Sequence, residues 1–191
     1  MKKEDIKFLA DLRKEMLTQD TVGQANPRFW VIRQEEKEYW VEDSIDGIFI
    51  FDGPNCETLF EGEFGSDEFG KWFIEFVEEE TGEKLKNVDY GYDLSFEFRE
   101  EEFYITDNKE LEEFIEDYCG IEASIGYYRI NSVIKENTMF LTKREAEEHL
   151  EANAHHYNNT AHTYAMTAWR SPQVQKLFKI LESTDWENEI K

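Results

Sequence analysis

Cysteine and proline are scarce in this chain of 191 residues, with two of the first and three of the second. Cys56 and Cys119 lie far apart without C-x-x-C spacing, which argues against a disulfide framework or a zinc ribbon and makes a reducing cytoplasm the natural setting. Long apolar runs are missing as well. No segment approaches the ~18 uninterrupted apolar residues of a membrane span. Charges break every apolar run in the opening MKKEDIKFLADLRKEM, so a signal peptide is not expected either. Basic residues are few, 21 Lys and Arg against 44 Asp and Glu, for a formal charge of -23. Direct nucleic-acid binding is disfavoured by that charge, since Lys143, Arg144, Arg170, Lys176 and Lys179 would make only a small basic face.

What is present is a folding composition. Aromatic residues make up 15% and apolar residues 40% of the chain, which separates it from a disordered acidic protein. The acid is concentrated. From Glu57 to Glu122 there are 23 acidic against 5 basic residues, whereas Met1–Cys56 has 12 against 8 and Ala123–Lys191 has 9 against 8.

Ile6, Leu9, Ala10, Met16 and Leu17 follow helical spacing and predict an amphipathic helix from Lys3 to about Leu17. Gly23 and Pro27 break it. FWVIRQ, EYWVED and GIFIFD then read as a three-stranded meander. Phe69, Trp72, Phe73, Phe76 and Val77 predict a second helix, followed by strands LSFEF and EFYIT around an acidic turn. Asp107 with Glu110, and Thr142 with Glu145, are capping pairs that open further helices, the first running through Tyr118 to Gly120. GYYRINSVI and MFLT are extended segments. Ala161, Tyr164, Ala165, Ala168 and Trp169 resume a helical pattern after Asn158 and Asn159, and Ser171-Pro172 starts a last helix with Val174, Leu177, Phe178 and Leu181 inward. The expected class is α+β, an antiparallel β-meander packed with helices. Residues 1–138 form the α+β domain with the acidic middle, and residues 139–191 a helical C-terminal lobe packed on it.

All four histidines lie between His149 and His162. His149 and His156 are seven residues apart, as are His155 and His162. On one helix that is two turns, roughly 10–11 Å, too far for one metal ion with nitrogen ligands at about 2 Å. A metal site would need the chain to fold back at Asn158 and Asn159, with Glu148 or Glu151 completing it. The simpler expectation is packing at a helix junction, with no metal and no cofactor. A Cys-His enzyme would need Cys56 or Cys119 to meet a histidine in space. Calcium is disfavoured, because no D-x-D-x-D-G loop accompanies the glutamates.

TQDTVGQANPRFWVI and FLTKREAEEHLEANAHHYNNTAHTYAMTAWRSPQVQKLFKIL together resemble small accessory proteins encoded by phages and prophages of Gram-positive bacteria. The shared features are a FLT-x-x-EA helix, histidines and a late aromatic-Arg-x-Pro turn. They cover under a third of the chain and leave out the acidic middle. The resemblance implies a context, the cytoplasm of a bacterial host, and transfers no catalytic residue.

Two functional expectations follow. In the first, the chain is a non-enzymatic, phage-encoded inhibitor of the anti-CRISPR or anti-restriction type. Its partner is a host nucleic-acid-binding protein with a basic channel, and it binds neither nucleic acid nor membrane directly. Glu78, Glu79, Glu101, Glu102, Glu112, Glu113 and Glu116 are its phosphate surrogates, facing Lys and Arg. In the second, a ligand- or metal-binding protein or small enzyme uses a C-terminal pocket of His155, His156, Tyr157, His162 and Arg170. A structural or packaging role is a third reading.

Overall fold

A computed structural model describes residues 2–19, 26–42, 45–90, 93–186 and 188. The break at Gly23 lies outside them. Among the described residues the fold is α+β, with five α-helices, eight strands and two antiparallel sheets. The elements in chain order are α1 (Lys3–Thr18), β1 (Arg28–Tyr39), β2 (Gly47–Asp52), β3 (Glu57–Gly62), α2 (Asp67–Thr81), β4 (Lys86–Tyr90), β5 (Leu94–Phe98), β6 (Glu101–Ile105), α3 (Asn108–Phe114), β7 (Ala123–Ile134), α4 (Lys143–Ala152), β8 (His162–Thr167) and α5 (Pro172–Ser183). No helix among the described residues is long and apolar enough to cross a membrane.

The larger sheet has the order β3-β2-β7-β1-β8 and the smaller is a meander, β4-β5-β6. FWVIRQ and EYW, expected as parts of two strands, lie in or just past a single strand of twelve residues, so no turn falls between them and β1 is not a neighbour of β2. The polar run Gln34–Glu38 has too little apolar content to be read as a strand interior. It pairs nonetheless, because β-ladder bonds are made by the backbone.

The chain forms two compact units, Met1–Glu36 with Ser132–Lys191, and Lys37–Asn131. In the first unit Trp30, Ile32, Ala146 and Ala165 form one buried cluster. Met16, Phe178 and Leu181 form another, where α1 meets α5. The indole N–H of Trp30 donates to Gln19 Oε1 at 2.8 Å, and the same oxygen accepts from the Lys143 backbone N–H at the start of α4. Arg13 Nε donates to the Glu182 carbonyl at 2.8 Å, which sets a cation on the C-terminal end of α5.

Residues 161–169 are not helical. HTYAMT is β8, paired antiparallel with β1 from Arg28↔Thr167 to Arg33↔His162. The reason is pairing with a strand distant in sequence. Asn158 Nδ2 donates to the Glu35 carbonyl and Thr160 Oγ1 accepts from the Glu35 N–H, which ties the turn to the edge of β1 and presents the following residues as a strand. Leu177, expected inward, is 53% exposed, while Phe178 and Leu181 are buried.

The second unit has an aromatic core. Eleven of the fifteen phenylalanines belong to this unit. Ser66 caps α2 by accepting from the Phe69 N–H, which turns Phe69, Phe73, Phe76 and Val77 onto Ile48, Ile50 and Phe60 of β2 and β3 and onto Leu94, Phe96 and Phe98 of β5. Phe73, Phe96, Phe98, Phe103, Phe114 and Tyr118 meet with ring centroids 4.9–6.5 Å apart, mostly edge to face, the favoured geometry for ring quadrupoles. β4 has no counterpart in the sequence reading, since KNVDY shows little apolar alternation. Asp107 caps α3 by accepting from the Glu110 N–H as expected, but after Phe114 the helix widens into a π-helical turn, Ile115–Cys119, before Gly120.

Phe73 is fully buried at the centre of these rings. Phe73→Ala is expected to cost about 3–5 kcal/mol, read as a lowered urea midpoint by circular dichroism. A loss under ~1 kcal/mol would show that the aromatic contacts do not hold the unit together.

Candidate functional site

The boundary between the units is also a boundary of charge. Lys37–Asn131 holds 28 acidic and 7 basic residues, a net of -21, whereas the rest of the chain has 16 against 14. All seven predicted glutamates lie in this acidic unit. Glu78 and Glu79 come from the last turn of α2, Glu101 and Glu102 from the start of β6, Glu112 and Glu113 from α3, and Glu116 from the π-helical turn.

Three contacts bring these blocks toward one end of the unit. Arg99, at the tip of the β5–β6 hairpin, donates from Nε to Glu83 just past α2 at 2.9 Å. Phe98 and Phe103 of the same hairpin meet Tyr118 edge-on, at 5.6 and 5.2 Å. Helix α2 also packs directly against the π-helical turn. The ends of α2, the hairpin and the π-helical turn therefore share one region.

The seven residues are not equivalent. Glu79, Glu101, Glu102, Glu113 and Glu116 are exposed and Glu78 is half-buried. Glu113 accepts from Lys109 at 2.5 Å in an exposed pair one helical turn apart. Glu112 is half-buried and accepts the Ile125 N–H at 2.5 Å, so its carboxylate fastens α3 to β7. The cations Lys84, Lys86 and Arg99 line a shallow recess of about 460 Å³ with Glu83, Glu97 and Glu100.

The hairpin that presents Glu101 and Glu102 is strained. Arg99 and Glu100 form a two-residue turn with φ of 53° and 69°, both in the left-handed region, where Asn-Gly is the favoured pair. Each costs on the order of 1–2 kcal/mol relative to a relaxed residue. Replacing the pair by Asn-Gly (R99N with E100G) is expected to stabilise the chain by about 1 kcal/mol, read by chemical denaturation. A destabilised variant would mean that the turn is held by the Arg99 contacts instead.

Trp40 is strained in the same way, with φ of 61°, at the end of β1. The strand pattern EYWVED gives no sign of this conformation. Together with Tyr39, Trp40 covers the face of β2–β7 that points away from the aromatic core. Register puts Phe49 opposite Gly126 and Gly47 opposite Tyr128 on that face. Phe49 meets Tyr39 at 4.9 Å and Trp40 at 4.7 Å, both edge to face. A methyl group on Gly126 would stand 2.6 Å from the Phe49 ring and 2.7 Å from the Trp40 ring, so glycine is required for the indole to lie down.

The histidines are only partly gathered. His149 of α4 is bonded through Nε2 to Tyr157 Oη at 2.8 Å, and its ring faces Phe140 at 5.0 Å. His156 joins them in lining a recess of about 290 Å³ with Lys135, Thr138 and Asn153. His155 is exposed beside His156. His162 opens β8, where its Nδ1 lies 2.9 Å from the Thr160 carbonyl. Arg170 lies beyond the other end of that strand, over the Trp169 ring at 4.6 Å. With ~3.3 Å of rise per residue, the strand alone separates its ends by about 16 Å, so His162 and Arg170 do not line one pocket. Among the described residues no three His, Cys, Asp or Glu side chains are grouped to hold a metal ion.

Burial, with a smaller contribution from the Glu80 carboxylate, pushes the Cys119 thiol up to about 11. Cys56 is exposed. Only thiolate reacts, so at pH 8 a disulfide reagent is expected to label Cys56 quickly and Cys119 slowly in the folded protein. Equal rates, counted by mass spectrometry, would contradict this placement.

No protein-family profile matches the chain, and no curated protein or solved structure is detectably similar to it. The resemblance to phage accessory proteins rests on the two sequence stretches alone.

Proposed function

We propose that the chain is a non-enzymatic inhibitor, encoded by a phage and acting in the cytoplasm of its bacterial host, that occupies the basic nucleic-acid-binding surface of a host defence protein. The observation that carries the reading is the segregation of charge, -21 of the total -23, onto one folded unit with a rigid aromatic core. Duplex DNA carries one negative charge per ~1.7 Å of axis, and the proteins that hold it place lysine and arginine in matching rows. A rigid body with carboxylates on helix ends and a hairpin tip can meet such rows without losing much chain entropy on binding. Solubility would be served equally well by acid spread over both units.

Glu79, Glu101, Glu102 and Glu116 are the strongest candidates for contact, being exposed at the converging ends. Glu112 supports the fold under them. The direct consequence is salt dependence, since exposed charge pairs weaken as the Debye length falls from ~10 Å at 0.1 M salt. Reversal of the four contact glutamates to lysine is expected to weaken binding to a captured target by about tenfold or more at ~0.1 M salt and to flatten the salt dependence. A variant that inhibits like the parent, with the same salt slope, would overturn the reading.

A further inference from the structure

The second unit also carries a side-chain arrangement that its own packing does not explain. Trp40 is 60% exposed although its backbone is in the left-handed region and a glycine is reserved beneath its ring. Tyr39 beside it is 43% exposed. A strained, solvent-facing tryptophan on a prepared bed is uncommon where a strand end needs only a turn.

The surroundings define what fits on it. Tyr39 Oη donates to Glu61 Oε2 at 2.6 Å, and Glu61 also binds Lys37. Asp46 Oδ2 accepts the Ile130 N–H at 2.6 Å. Tyr128, on the same face, has its phenol pushed up by burial and then by the Asp46 carboxylate, Tyr39 and the Glu68 carboxylate. The aromatic face is thus edged with carboxylates. It already holds one cation of its own, since Lys37 Nζ sits 4.8 Å from the centre of the Tyr128 ring.

We propose that Trp40, flanked by Tyr39, is an anchor for an arginine side chain of the protein partner. The guanidinium would stack on the open indole face while nearby carboxylates complete its charge. A planar cation suits an indole bed better than an ammonium, and tryptophan with arginine is a pairing typical of binding hot spots. A nucleobase is disfavoured on the same bed, because its phosphate would enter the field of a unit with net charge -21. This proposal rests on the inhibitor reading for the identity of the partner, a basic protein, and adds a second contact remote from the glutamate blocks in sequence.

The test uses the full chain and a nine-residue arginine peptide as probe. Backbone and indole N–H signals are followed by NMR, and the Trp40 indole signal is assigned by its loss in W40F. The expected result is a shift of that signal as peptide is added. W40L should bind about fivefold to tenfold more weakly with its circular dichroism unchanged, W40F should recover most of the affinity, and a nine-lysine peptide should bind more weakly than the arginine one. An unmoved Trp40 signal at saturation, or equal binding by W40L, overturns the anchor while leaving the glutamate reading standing. A moving Trp40 signal in a chain whose Glu79, Glu101, Glu102 and Glu116 reversal changes nothing supports the anchor and sinks the glutamate reading. Absence of any peptide binding overturns both.

Discussion

Like-charge repulsion within residues 37–131 is the constraint on which the rest of this structure depends. A net of -21 on 95 residues opposes compaction, and the opposing attraction has to come from buried apolar area. The chain answers with phenylalanine. Phe69, Phe73, Phe96, Phe98 and Phe114 are buried where α2, α3 and the small meander converge, and the glutamates occupy the outward positions of the same elements. Each acidic block is therefore attached to a side chain that is among the hardest to move.

Five of the seven cations of this unit form ion pairs within it. Lys37 binds Glu61, Lys86 binds Glu97, Arg99 binds Glu83, Lys109 binds Glu113 and Arg129 binds Glu38. Most of these pairs are exposed and contribute little to stability. They relieve repulsion locally and leave a large excess of carboxylate facing outward. Among the described residues of this unit, non-glycine backbone in the left-handed region falls at Trp40, Cys56, Asn87 and the Arg99-Glu100 turn, and of these Trp40 and the turn present the functional candidates to solvent. The histidine segment belongs to the other unit, where His149 and Tyr157 satisfy one another while His162 and Arg170 are held apart by the length of β8.

Helices α1 and α2 were legible from apolar spacing, and α3, α4 and α5 from the residues that begin them. Ser66, Asp107 and Thr142 each accept the backbone N–H three residues on, and Pro172 begins α5. β5 and β6 were legible from alternation around an acidic turn. What was not legible depended on long-range pairing. HTYAMT carries both helical and strand periodicity, and only the edge of β1 decides between them. The polar middle of β1 and the whole of β4 are strands by backbone pairing rather than by side-chain pattern. Of the site, the concentration of acid was visible in the sequence, but the structural use of Glu112 and the exposure of Trp40 were not, since neither leaves a periodic trace.

The central claim is that the acidic unit takes the place of nucleic acid on a basic protein. The most direct measurement is affinity capture of host-lysate proteins on the tagged full-length chain, with and without excess duplex DNA, followed by identification of what DNA displaces. The account predicts a nucleic-acid-binding enzyme that is retained at physiological salt and released by the duplex. Partners indifferent to both DNA and salt, or no partner at all, would contradict it.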